Sequence, residues 1–149
     1  MASQSIAYNP QTLKRELLEQ SIHEWSQTLN AARNSLFSHE WPQAVMQYWR
    51  AYPMAEQLVK ESTCKSCAVK GYTRTLTELA YALRKNQQQE KLSAIIELAK
   101  PTLHAELSPA LAQELIAIMT NIAYAPIQEI DAWMDGLFAM DASMNHRVH

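Results

Sequence analysis

"NPQTLKRELLEQSIHEWSQTLNAARNSLF", Asn9 to Phe37, decides the fold. Asn9 precedes Pro10, the pairing of an N-cap with a proline at the first helical position, where its missing N–H is no loss. From there Leu18, Ile22, Trp25, Leu29, Ala32 and Leu36 follow one another at steps of four and three. That period puts them on one face of a long amphipathic helix, expected over Pro10 to Phe37.

The same punctuation recurs along the chain. Pro42 and Pro53 are expected to open two short helices, Pro42 to Ala51 and Pro53 to Glu61. The stretch Ser62 to Arg74 reads as a connector. "TLTE" (Thr75 to Glu78) has the form of a capping box and starts a helix that ends near Lys85. "NQQQ" breaks the chain before a helix from Gln88 to Ala99, which Pro101 stops. Ser108 and Pro109 open the next helix, and the last runs from Pro126 to about Met140.

Only two of 149 residues are glycine, so hairpin turns, which need positive φ, have few places to form. The fold class expected is all-α: a compact bundle of six to seven antiparallel helices in a single domain. Residues 1–9 form an N-terminal tail, 10–140 the bundle and 141–149 a flexible C-terminal tail. With 48% apolar and 19% charged residues the composition is that of a globular chain. No apolar run approaches the roughly 20 residues of a membrane span, and the N-terminus lacks the pattern of a secretory signal. Two cysteines three apart are not a disulfide framework, and the cytoplasm is the expected location.

Local chemistry is concentrated in "ESTCKSCAVKGYTR", Glu61 to Arg74. Cys64 and Cys67 could hold a metal, since two thiols at this spacing can bind one zinc from a turn. A structural zinc site needs four ligands. His39 and His104 are remote candidates, and a zinc shared between two copies of the chain is the other route. The same pair could form a reversible disulfide, because a helix N-terminus and nearby cations favour the thiolate. The third reading is an inert turn.

Residues 60–91 hold seven basic and three acidic side chains, a balance of +4, whereas 92–149 hold two basic and seven acidic ones, a balance of −5. Lys65, Lys70 and Arg74 are candidates for an anion-binding patch, and the whole segment for a nucleic-acid contact. Leu76 to Leu83 resembles the first helix of a helix-turn-helix, but the turn position falls on Arg84 and no apolar anchor stands near Glu90. Glu19 and His23 share a helix face as a surface pair; His146 and His149 lie in the tail.

The aromatic run "HEWPQAVMQYWRAYPM" supplies Trp41, Tyr48, Trp49 and Tyr52 as candidate partner-binding residues, since Trp, Tyr and Met are enriched at interface hot spots. Trp133, Met134, Leu137, Phe138 and Met140 cannot all share one helix face, which favours a homodimer. Phosphate-binding loops and the common hydrolase motifs are missing. The expected function is therefore non-catalytic: an adaptor or regulatory protein without a resident cofactor, binding a protein partner. A redox- or zinc-responsive regulator and a nucleic-acid binder are the alternatives.

Overall fold

A computed structural model describes the backbone of residues 9–148 and side chains through Ser143. Among the described residues six helices form an all-α bundle: α1 (Pro10–Phe37), α2 (Trp41–Glu61), α3 (Lys65–Lys85), α4 (Gln89–Glu106), α5 (Pro109–Tyr124) and α6 (Ile127–Val148). The expected α1 is present with its cap, Asn9 Oδ1 accepting the Thr12 N–H at 2.7 Å. Ser108 caps α5 through the Leu111 N–H. Residues 1–8 of the expected N-terminal tail and His149 lie outside the described residues. The expected fade near Met140 does not occur: the backbone stays helical to Val148.

Two prolines expected to separate helices lie inside them. Pro53 sits within α2 and Pro101 within α4. An interior proline costs about 3 kcal/mol in isolation. Here both face solvent, and so does Glu97, whose carbonyl Pro101 leaves unbonded. Water can replace the lost bond on that side. The buried stripe Val45, Tyr48, Tyr52, Ala55 and Val59 continues in register across Pro53. Burying it outweighs the break.

Glycine is also dispensable where it was expected to limit turns. The α1–α2 and α3–α4 connections pass through His39 (φ 59°) and Gln87 (φ 57°), neither a glycine. Each is a Schellman turn. His39 N–H bonds to Leu36 O and Glu40 N–H to Ser35 O; Gln87 N–H bonds to Arg84 O and Gln88 N–H to Leu83 O.

The largest revision concerns α3. It begins at Lys65, inside the expected connector, which shrinks to Ser62–Cys64. Thr75 to Glu78 is therefore mid-helix. Every residue from Thr75 to Leu83 is buried, so α3 is the central helix of the bundle. Thr75 and Thr77 satisfy their hydroxyls on the carbonyls of Gly71 and Thr73, both at 2.8 Å. Leu76–Leu83, the stretch that resembles the first helix of a helix-turn-helix, lies wholly within this buried run. Tyr72 and Leu79 of α3 are core residues, with Tyr48, Leu92, Leu103 and Met119 from the other helices.

Glu78, fully buried at the centre, is held by charge. Arg33 grips both its oxygens at 2.9 and 2.8 Å, and Tyr48 donates its hydroxyl to Oε1 at 2.7 Å. Arg74 Nε lies 2.8 Å from Oε2 as an ion pair. Arg74 also binds Asp141 of α6 and lies 5.2 Å from the centre of the Phe138 ring. Burial, then the Glu78 charge, pushes the Tyr48 hydroxyl well above the ordinary tyrosine range. No helix among the described residues is long and apolar enough to cross a membrane.

Candidate functional site

The helix that forms the core also presents the cysteines. Cys64 is the N-cap of α3 and Cys67 stands at its third position. The two are joined in a disulfide, with Cα atoms 5.4 Å apart. Both residues are exposed. With its sulfur so bonded, Cys64 makes no side-chain cap to the helix. The N–H groups of Ser66 and Cys67 face the position a freed Cys64 thiolate would occupy, as in any N-cap. Helix-terminal N–H groups and the positive end of the helix dipole favour a negative sulfur there.

The metal reading fares differently. In the disulfide neither sulfur offers a lone thiolate to zinc. His39 precedes α2 and Cys64 follows it, so the 21 residues of that helix hold them about 30 Å apart. No cluster of three or more metal-ligating side chains gathers among the described residues.

Beside the disulfide lies a cavity of about 280 Å³. Ile22 and Trp25 of α1, Ala55 and Leu58 of α2, and Ala68 and Tyr72 of α3 line it, with both cysteines in its wall. Two features fix the Trp25 ring. Its Nε1–H donates to Thr75 Oγ1 at 3.2 Å. The ring also lies directly over Gly71, where an added Cβ would stand 2.8 Å from the indole. Glycine is needed there for close approach of α1 to α3, not for turn geometry. The Tyr72 ring closes the inner end and lies 6.2 Å from Tyr52. Its buried hydroxyl has no hydrogen-bond partner among the described residues, and burial raises it above the usual tyrosine range.

The expected anion patch does not assemble. Lys65 binds Glu106 and donates to the carbonyl of Val59. Arg74 is engaged by Glu78 and Asp141. Lys70 alone is exposed and makes no ion pair among the described residues. Part of the wider basic segment is engaged in the same way. Arg84 donates to the carbonyls of Ile122 and Ala125, closing the C-terminus of α5. Lys85 pairs with Asp131 and lies 5.2 Å from the centre of the Trp41 ring.

The aromatic candidates are corrected likewise. Tyr48 and Tyr52 are core residues, with 0% and 6% of their surface exposed, and cannot meet a partner. Both point toward α3: Tyr48 to Glu78, Tyr52 to the Tyr72 ring. Trp41 and Trp49 are half-buried, Trp41 against His39 and Trp49 edge-on to Tyr52. In α6, Met134 is buried and Phe138 packs on Phe37, while Trp133 and Met140 stay exposed.

The class so defined is an all-α bundle with a surface cysteine pair at the head of its central helix. No protein-family model, curated protein or solved structure matches the chain.

Proposed function

We propose that this chain is a redox-responsive protein whose Cys64 and Cys67 cycle between dithiol and disulfide. One observation carries the reading: the exposed disulfide sits at the N-cap of the central helix, where a released Cys64 thiolate finds unpaired N–H groups. A disulfide closing so small a ring contributes little stability, so its value lies in being broken and remade. The proposed location is the cytoplasm, where disulfides are typically transient and serve catalysis or sensing.

Equilibration of the full chain in glutathione buffers, with rapid alkylation and mass analysis, tests this. Both sulfurs should convert together and reversibly, and Cys64 should be alkylated faster than an ordinary peptide thiol. Two thiols that stay reduced in excess oxidised glutathione overturn the reading. Zinc retained by the reduced protein at half an equivalent per chain would replace it with a metal shared between two copies.

A second reading, a homodimer or other protein contact, is favoured by the apolar face of α1. Leu13 and Leu17, one turn apart, are exposed there at 47% and 56%. A second copy laid along this face would bury them. A monomeric mass by light scattering at micromolar concentration removes the dimer.

A further inference from the structure

A disulfide that only fastened a turn would need no cavity behind it. Here both cysteines form part of the wall of an apolar space of about 280 Å³. That is near the lower end of small-molecule sites and has room for about nine water-sized groups. Apart from Ser62 and the Tyr72 hydroxyl, its lining side chains carry no polar oxygen or nitrogen beyond the Trp25 indole N–H, which is spent on Thr75. Water held there makes few hydrogen bonds, so an apolar group displaces it favourably.

We infer that this cavity selects the oxidant of the cysteine pair, taking one aliphatic arm of a small organic disulfide, R–S–S–R, and laying its sulfur against Cys64. The inference rests on the redox reading above. A polypeptide disulfide suits the space poorly, because backbone N–H and C=O groups entering it would lose their hydrogen bonds. Lys70 lies one turn beyond Cys67, exposed and without an ion pair among the described residues, which favours an arm ending in a carboxylate.

The exchange balances without another reactant. The Cys64 thiolate attacks one sulfur of R–S–S–R, forming a mixed disulfide and releasing one thiolate. The Cys67 thiolate then attacks Cys64 Sγ, closing the Cys64–Cys67 bond and releasing the second. Two electrons pass from the dithiol to the substrate, and the two thiol protons end on two molecules of RSH.

The test is the rate at which the reduced full chain is oxidised by bis(carboxyalkyl) disulfides. Their charge is constant while the arms lengthen from about two to about six methylenes. The rate constant should rise about fourfold per methylene, the gain expected for burying each group. Ile22→Gln makes an exposed wall polar, and Ala68→Leu fills the space. Each should flatten the slope of rate against arm length, a comparison made within each variant so that a general change in thiol reactivity cancels. Rates independent of arm length, or an unchanged slope in both variants, overturn the inference. Failure of every disulfide, the shortest included, to oxidise the protein instead overturns the redox reading beneath it.

Discussion

Reducing the Cys64–Cys67 bond should barely disturb the fold. The ring closes across a sequence separation of 3. In the chain-entropy account so short a loop removes only about 2 kcal/mol of freedom from the unfolded chain. Reduction gives part of that back. The freed Cys64 sulfur can accept from the helix N–H groups it now leaves unbonded, and a side-chain N-cap contributes about 1 kcal/mol. The net loss is about 1 kcal/mol, or roughly 2–4 °C in Tm for a chain of this size. Thermal melts by far-ultraviolet circular dichroism, oxidised against reduced, measure it directly. Cys64→Ser and Cys64→Ala, both without the disulfide, separate the cap from the cross-link. Serine oxygen can cap and alanine cannot, so the serine variant should melt roughly 2–4 °C above the alanine one. A drop of more than about 10 °C on reduction would refute the reasoning. The bond would then be a structural staple rather than a reversible one. Equal melts for the two variants would remove the capping argument.

Glu78→Ala should destabilise the bundle by about 3 kcal/mol in denaturant unfolding, because it leaves Arg33 and Arg74 facing each other and the Tyr48 hydroxyl unpaired. Stability should fall at alkaline pH. Burial and then Glu56 push Tyr52 up to about 12, and Tyr48, Tyr72 and Tyr81 also move upward. Raised values favour the neutral hydroxyl in the fold, so this contribution is complete below the ordinary tyrosine value of 10.0 and lost as pH rises toward about 12. Denaturant midpoints followed across that interval, with Tyr52→Phe showing a shallower fall, check the sign. Gln87→Gly should stabilise by about 0.5–1 kcal/mol, since φ 57° is strained for glutamine and free for glycine; an unchanged or lower Tm contradicts it. The chain should pass through heparin at low salt, because Lys65, Arg74, Arg84 and Lys85 are engaged within the molecule. Retention that weakens steeply with salt would restore the nucleic-acid reading.

Local pattern reached some parts of the site and not others. The cysteine pair and its neighbouring cations were legible, because spacing is a property of adjacent residues, but its place at a helix start was not, since Ser62 to Arg74 read as a connector. The cavity was not. It joins Ile22 and Trp25 to Ala68 and Tyr72, residues roughly fifty positions apart, and nothing local marks Gly71 as the seat of an indole. The aromatic run misled for a related reason. Helical spacing puts Tyr48 and Tyr52 on one face but does not say whether that face meets solvent or α3. The basic segment misled because formal charge counts every lysine and arginine equally, whereas Glu78, Asp131, Asp141 and the last carbonyls of α5 take up several of them.

The sequence by itself determined that the chain is helical, where α1 and α5 begin, and that two thiols stand three residues apart. Each follows from interactions within about one turn: a cap, a proline lacking its N–H, an apolar period. Tertiary structure decided that α2 and α4 run through their prolines, that α3 is central, and that a polar cluster around Glu78 lies inside. Those outcomes depend on area buried between distant segments. Packing of that kind outweighs a local preference of a few kcal/mol, and the order of residues along the chain does not display it.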